Sequence, residues 1–144
     1  MVKRCVPIVL VAALLLAGCR GGKADEAMLK GVVEQYVTAM ASQQFDRAAE
    51  VTTGDAAAAL LQLRPLLEEL EYKSEVRNLH VRVLEAKDEE ARLEATYVLE
   101  QTIPELGTTV GEYRVRYWLA PVEGKWRIFR VATVEQHESE DGGS

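Results

Sequence analysis

The side chains best suited to chemistry are three tyrosines on two segments of alternating apolar and polar residues, Tyr97, Tyr113 and Tyr117. Beside a carboxylate base, such hydroxyls can hold the oxygen of an enolate during proton transfer. The acids of these segments have the opposite phase and are expected to face outward: Glu94, Glu100 and Glu112. We expect these acids to form exposed ion pairs with neighbouring arginines, each pair contributing little stability. A hydroxyl without a base is not a proton-transfer site, so no catalytic residue is predicted.

The same tyrosines together with Trp126 are candidate pocket residues. Two interpretations stay open. The hydroxyls could line a pocket and bind a ligand, or the rings could be core aromatics whose hydroxyls reach the rim. The second is the simpler interpretation.

The remaining reactive residue types do not form a recognisable site. His80 alternates with Leu79 and Val81 and should face solvent, whereas His137 lies in an acidic terminal segment. Neither histidine has the neighbours that a zinc site requires. The glycines lack phosphate-loop spacing, and no Gly-x-Ser-x-Gly motif occurs. The sequence therefore predicts no metal site and no cofactor.

The N-terminus has the layout of an export signal. Lys3 and Arg4 precede an apolar run that is too short for a stop-transfer helix, and small residues follow it before Cys19. The stretch "LAGC" ending at Cys19 resembles the lipobox of bacterial lipoproteins. That resemblance implies cleavage before Cys19 and acylation of this residue, so that acyl chains hold the protein at a membrane. An uncleaved N-terminal anchor with an incidental cysteine is the alternative.

This interpretation divides the chain into four parts. Residues 1–18 are the signal, 19–24 the lipidated cysteine and tether, 25–136 the domain, and 137–144 an acidic flexible tail. The expected location is extracytoplasmic, at the outer leaflet of the cytoplasmic membrane, or at the outer membrane if the host is Gram-negative. Cys5 would leave with the signal, so no disulfide is expected.

The charge of the chain is acidic. The net charge is −6, and without Lys3 and Arg4 the 15 remaining basic residues face 23 acidic ones, which gives −8. An acidic protein lacks the clustered basic face that nucleic acids require, so no nucleic-acid partner is expected. The acidic net charge also argues against binding to anionic lipid through a cluster of basic residues.

Helices are predicted in the first half of the domain. Residues 24–43 carry apolar side chains at helical spacing and predict an amphipathic helix. "FDRAAEVTTGD" predicts a short second helix that ends at Gly54. Residues 56–73 predict a third, in which Pro65 either kinks the helix or starts a separate one.

After Lys73 the period drops to two, which predicts four strands. Short connections between them favour an antiparallel meander. If Tyr97 and Tyr113 share a face, the loop between their strands must hold an odd number of residues or contain a bulge. The last strand carries apolar residues on both faces, which indicates burial on both sides or a bulge near Arg130. Helices followed by a one-sided sheet predict an α+β sandwich.

Three features together resemble the NTF2-like superfamily, and more narrowly small bacterial lipoproteins with an NTF2-like, DUF4878-type domain. They are the order of helices and meander, the short "DRAAEV" helix, and the ending "YRVRYWLAPVEGKWRIFRV". The resemblance implies a curved four-stranded sheet wrapped around the helices as a cone. Cystatin-like sheets and other helix-on-sheet folds are the competing architectures. Since NTF2-like cones serve both as active sites and as binding modules, the fold leaves the function open.

The resulting expectation is a lipid-anchored, non-enzymatic interaction module of the cell envelope. Arg114, Arg116 and Trp118 on the outer sheet face form its candidate partner surface, because a tryptophan is unusual at a solvent-phased position. A homodimer through this face or an envelope protein is the expected partner. A small-molecule-binding or enzymatic cone, isomerase- or cyclase-like and lined by tyrosines, is the alternative. A structural accessory of an envelope complex is the third possibility.

Overall fold

The computed structural model describes residues 25–139, and within them three helices precede four strands. The helices are α1 (Glu26–Ala41), α2 (Phe45–Glu50) and α3 (Gly54–Glu69). The strands are β1 (Lys73–Ala86), β2 (Ala91–Ile103), β3 (Gly107–Val122) and β4 (Lys125–Ser139). The predicted signal, Cys19, the tether and residues 140–144 lie outside the described part. None of the described helices is long and apolar enough to cross a membrane.

Helix α1 forms where the sequence predicts an amphipathic helix. The Asp25 side chain caps it by accepting a hydrogen bond from the Ala27 amide at 3.1 Å. Leu29, Val33 and Val37 follow at helical spacing and are buried on one face. At the other end the Ser42 hydroxyl donates to the Thr38 carbonyl at 2.6 Å, which satisfies one of the last carbonyls.

The boundary between α2 and α3 differs from the prediction. Gly54 has a positive φ of 53° and begins α3, whereas it was expected to end α2. Glycine suits both positions because it adopts left-handed backbone angles without strain. Pro65 lies inside α3, so the residues on either side of it form one helix.

The sheet is an antiparallel meander in the order β1-β2-β3-β4, as predicted. Tyr97 lies directly opposite Tyr113, and Ile103 pairs with Gly107. Three residues, an odd number, therefore connect β2 and β3. The two tyrosines share a face without any bulge in this pair of strands.

Bulges do curve the other pairs of strands. Trp118 pairs with Arg130 but its neighbour Leu119 pairs with Ile128, so Phe129 is the extra residue of a bulge. Of the two alternatives predicted for this strand, burial on both sides or a bulge near Arg130, the structure has the bulge, which explains why apolar residues change face there. Strand β4 continues to Ser139, beyond residue 137 where the flexible tail was expected to begin.

The core lies between the helices and one face of the sheet. The buried side chains of α1 pack against strand residues that include Leu93, Val115, Tyr117 and Ile128. A second, smaller cluster of buried side chains includes Phe45 of α2 and Leu60 of α3. This two-layer α+β arrangement confirms the predicted fold class. It leaves the other face of the sheet outside the core.

Candidate functional site

A cavity of about 260 Å³ lies between the C-terminal half of α1 and the inner face of the sheet. Its walls are mostly apolar, with tyrosines from both layers. The lining residues are Tyr36, Val37, Met40, Ala41, Leu67, Tyr72, Ser74, Val76, Tyr97, Leu99, Gln101, Val115, Tyr117, Val131 and Thr133.

Two of the four candidate pocket residues, Tyr97 and Tyr117, line this cavity. Tyr113 stacks on Tyr97 instead, with ring centroids 5.7 Å apart and planes inclined by 17°. Trp126 is buried in the core beside the turn between β3 and β4. The structure therefore brings three of the four aromatics into one neighbourhood and places the tryptophan elsewhere.

Sequence reasoning did not assign Tyr36, Tyr72 or Ser74 to a site. Tyr36 occupies an apolar-face position of α1, which predicts burial but not a cavity beside it. Its ring meets that of Tyr117 edge to face, at 5.9 Å and 70°. Tyr72 immediately precedes β1 and Ser74 is the second residue of that strand. They reach the cavity because β1 packs against α1.

The tyrosine hydroxyls of the cavity are neutral hydrogen-bonding groups. Burial raises the pKa of Tyr97 from 10.0 to about 12, with Tyr113 and Tyr36 adding to this effect and the Tyr117 hydroxyl opposing it. Burial likewise raises the pKa of Tyr117 well above 10.0. These hydroxyls therefore keep their protons at neutral pH. The Tyr117 hydroxyl donates to that of Tyr97, which leaves the Tyr97 hydroxyl to donate to a ligand oxygen.

Ser74 adds an unsatisfied polar group to the cavity. Its Oγ atom is buried and has no hydrogen-bond partner within residues 25–139. A buried hydroxyl without a partner is costly, and native proteins usually satisfy such a group with a ligand or an ordered water. Among the described lining residues none carries a charge, so the cavity suits a neutral ligand with one or two polar atoms.

The outer face of the sheet holds a second notable group, Glu94. The prediction of an exposed Glu94 is wrong, since this residue is only 2 % exposed. Arg82 Nη2 lies 2.8 Å from its Oε1, Arg116 Nε lies 3.3 Å from its Oε2, and Arg114 Nε lies 3.9 Å from Oε1. The strand phase correctly gives the face, but three long arginine side chains cover the carboxylate.

The ionisation of Glu94 reflects two opposing effects. Burial alone would raise the pKa of this carboxyl, but hydrogen bonds from Arg82 and Arg116 and the nearby positive charges lower it overall. Glu94 is therefore ionised at neutral pH. Its negative charge holds the guanidinium groups around it.

The candidate partner surface is partly covered by its own neighbours. The Arg130 guanidinium lies 4.7 Å from the ring centre of Trp118, and this residue is partly buried. Arg114 also pairs with Glu135 at 3.1 Å. Arg116 keeps a half-exposed side chain between them. Within the described residues, no group of three His, Cys, Asp or Glu side chains could hold a metal ion.

Comparisons with solved structures place this architecture among NTF2-like cones. A hexachlorocyclohexane dehydrochlorinase, LinA Type2, has a TM-score of 0.60 at 10% identity, covering 80% of this chain and 88% of its own. A scytalone dehydratase-like protein from Novosphingobium aromaticivorans has a TM-score of 0.59 at 10% identity, covering 79% and 87%. A ketosteroid isomerase-like protein from Erwinia carotovora atroseptica has a TM-score of 0.58 at 15% identity, covering 76% and 95%.

These likenesses show the fold, an NTF2-like cone. No protein-family model matches the chain. No curated protein matches it either.

The comparisons correct the expectation that the domain is not an enzyme. Structures of the same architecture include a dehydrochlorinase and a dehydratase-like protein. That expectation rested on a search for one constellation, a carboxylate base beside hydroxyls. Failure to find that constellation does not make a cone non-enzymatic, because one fold carries many chemistries.

Proposed function

We propose that this chain is a lipid-anchored extracytoplasmic protein whose cone takes a small, neutral, largely apolar molecule. The observation that carries the ligand-binding part is the unpartnered Ser74 hydroxyl in an apolar, tyrosine-lined cavity. Ligand sites combine mostly apolar walls with a few convergent polar groups. The cavity of about 260 Å³ is slightly below the ~300–1,000 Å³ of drug-sized sites, which favours a compact ligand.

The polar groups define the expected ligand further. Tyr97 and Tyr117 hold neutral hydroxyls on the sheet side, and Ser74 offers a third at the start of β1. A ligand with a carbonyl or hydroxyl oxygen and an apolar ring would satisfy Ser74 while its ring contacts Val76 and Leu99. The same hydroxyls would stabilise negative charge that develops on a carbonyl oxygen, which is one part of an isomerase- or cyclase-like reaction; a carboxylate base for such a reaction is not among the described lining residues.

The anchor and partners of the proposal rest on the sequence. Acyl chains on Cys19 attach the protein to the membrane, and the resemblance to DUF4878-type lipoproteins supports this assignment. Arg114, Arg116 and Trp118 form the surface for a second copy or an envelope protein. We expect Trp118→Ala to weaken that association, and an unchanged association constant in sedimentation would contradict the assignment.

The ligand proposal can be tested with 2-naphthol, a small neutral ring with one hydroxyl. Fluorescence titration should show saturable binding that weakens several-fold in Ser74→Ala and Tyr97→Phe. Val131→Phe should abolish it by filling the cavity, whereas Thr108→Ala on the outer face is the matched control and should change nothing. Equal affinity for naphthalene, together with no effect of Ser74→Ala, would contradict a role for these hydroxyls.

A further inference from the structure

Three arginines surround one carboxylate on the outer face of the sheet. Arg82, Glu94 and Arg116 occupy one row across β1, β2 and β3, since Arg82 pairs with Glu94 and Glu94 with Arg116. Arg114 reaches the same carboxylate from the next row. Glu94 is buried beneath them, whereas the side chain of Arg82 is 69% exposed and that of Arg116 is 40% exposed.

The three arginines of this group carry more positive charge than their acidic partners neutralise. Glu94 and Glu135 are the acids that pair with the three guanidinium groups. Other described arginines are matched differently: Arg64 contacts two acids, Asp46 and Glu68, and Arg77 contacts Glu100 alone. The group around Glu94 therefore keeps an excess of positive charge in a chain whose net charge is −6.

Many donors of this group have no acceptor among residues 25–139. In its ion pairs within the described chain, Arg82 uses only Nη2 and Arg116 uses only Nε. A guanidinium carries five N–H groups in a fixed fork, so most of these donors remain available to a ligand. Thr96 and His80 line a surface cleft of about 350 Å³ beside Arg82 and Arg114 and add further polar groups.

We propose that Arg82, Arg114 and Arg116, held in place by Glu94, form an anion site that binds a phosphate-type oxyanion. Guanidinium forks match the paired oxygens of phosphate, and ordering the arginines beforehand lowers the entropy cost of binding. Glu94 lines the cleft beside Arg82 and Arg114 and repels an incoming anion, but its single negative charge is outweighed by the three positive charges of Arg82, Arg114 and Arg116. The site lies on the opposite side of the sheet from the cavity and goes beyond the proposed ligand binding there. It shares Arg114 and Arg116 with the proposed partner surface, so a protein bound at that surface would compete with the anion.

Two sources could supply this oxyanion: the headgroup of an anionic lipid or a soluble phosphate-bearing molecule. The shared chemistry is the phosphate group with its negatively charged oxygens. A protein held at a membrane would meet the first, and the exposed cleft admits the second.

The test is a titration of the full ¹⁵N-labelled chain, in a neutral detergent, with inorganic phosphate at constant ionic strength. The Nε–Hε resonances of Arg82, Arg114 and Arg116 should shift saturably, and that of Arg77 should not. Arg116→Gln should weaken phosphate binding about tenfold, as expected for the loss of one charge-assisted contact. Arg77→Gln, which removes an arginine of the same face, is the matched control and should change affinity less than twofold.

A second variant separates binding from folding. Arg82→Lys/Arg116→Lys keeps both charges beside Glu94 but removes the forks, so it should retain the wild-type circular dichroism spectrum and bind phosphate several-fold more weakly. Unsaturable shifts in the wild type would overturn the proposal. So would equal losses in Arg116→Gln and Arg77→Gln, because they would indicate unspecific attraction.

A parallel titration with dihexanoylphosphatidylglycerol identifies the source. Tighter binding of this lipid than of inorganic phosphate supports a headgroup site, and the reverse supports a soluble ligand. If neither compound saturates the three arginine signals, the site does not exist.

Discussion

The five tyrosines of the chain show how environment changes a single residue type. Burial is the main cause that raises the pKa of each: Tyr36, Tyr72, Tyr97, Tyr113 and Tyr117. The folded state therefore keeps these hydroxyls protonated above the pH at which the unfolded chain loses its protons. Stability linked to them is fully present below pH 10 and falls as the pH rises through the folded pKa values.

We expect the free energy of unfolding to decrease between about pH 10 and pH 12, with Tyr97 ionising near the upper end. Tyrosinate absorbance at 295 nm, recorded beside urea unfolding at each pH, measures both quantities. Tyr97→Phe removes this titration and should flatten the decrease. An unchanged slope in Tyr97→Phe would mean that its phenol does not differ between the folded and unfolded states.

The stability linked to the ionisation of Glu94 changes with pH in the opposite direction to that of the tyrosines. Its folded pKa is lowered from 4.5, so its stabilising contribution is present above that value and is lost as the pH falls through the folded pKa. We expect Glu94→Gln to lower the free energy of unfolding at pH 7 by about 1.5–3 kcal/mol, the range for hydrogen bonds to charged groups. Urea unfolding at pH 7 and at pH 3 should show a smaller difference from wild type at the lower pH.

Glu100→Gln is the matched control, because Glu100 pairs with Arg77 alone and is about one-third exposed. An exposed pair contributes roughly 0–1 kcal/mol, so this variant should cost less than Glu94→Gln. Similar losses in both variants would mean that burial beneath three arginines gives Glu94 no special role.

A contact within β3 supports the stack of Tyr113 on Tyr97, and Tyr97 is part of the cavity wall. The Tyr113 ring covers Gly111, so that a Cβ atom at position 111 would lie 2.9 Å from Cε2 of the ring. We expect Gly111→Ala to displace this ring and to break its stack on Tyr97. The loss should be about 0.5–1.5 kcal/mol, the range for an aromatic pair, with a change in near-ultraviolet circular dichroism.

Two further variants show whether the destabilisation expected for Gly111→Ala arises from displacing the Tyr113 ring. Gly31 lies in α1 with open space around it, so Gly31→Ala should stabilise the chain by about 0.5–1 kcal/mol. In a Tyr113→Ala background, Gly111→Ala should no longer destabilise, because no ring remains to be displaced. A cost that persists there would locate the strain in the backbone.

Sequence periodicity predicts the elements well and the site only in part. The alternation of β2 and β3 and the three-residue loop between them fix the face that Tyr97 and Tyr113 share. Periodicity gives the face of Glu94 but not its burial, because the arginines that cover it come from the two neighbouring strands, β1 and β3. It cannot tell a filled cone from a cavity either, since that depends on how Tyr36 and Tyr72 approach from outside the sheet.

At the scale of the whole molecule, the net charge does not reveal how the charges are distributed over the surface. The chain is acidic, yet its described strands carry seven arginines: Arg77, Arg82, Arg92, Arg114, Arg116, Arg127 and Arg130. Strand pairing places Arg82, Arg114 and Arg116 together on the outer face. A negative total therefore does not exclude a locally positive surface, and the sequence-based argument against anionic partners holds only for the average.

The proposed anchor would keep the domain close to a membrane. Five residues separate Cys19 from Asp25, and the six Cα–Cα steps between them reach at most about 22 Å. Helix α1 is about 24 Å long, so the tether is shorter than the domain that it holds. The domain would stay within its own diameter of the bilayer.

Intact mass spectrometry of protein extracted from its native membrane tests this arrangement. We expect the mass of residues 19–144 plus acyl chains, because processing before Cys19 and lipidation belong to one pathway in the lipoproteins that the N-terminus resembles. Cys19→Ala should abolish the modification, whereas Cys5→Ala, within the removed segment, is the matched control and should leave the mature mass unchanged. A full-length, unmodified mass would refute the anchor and the mature charge of −8 together, while the cone and the arginine cluster would stand, since both lie within residues 25–139.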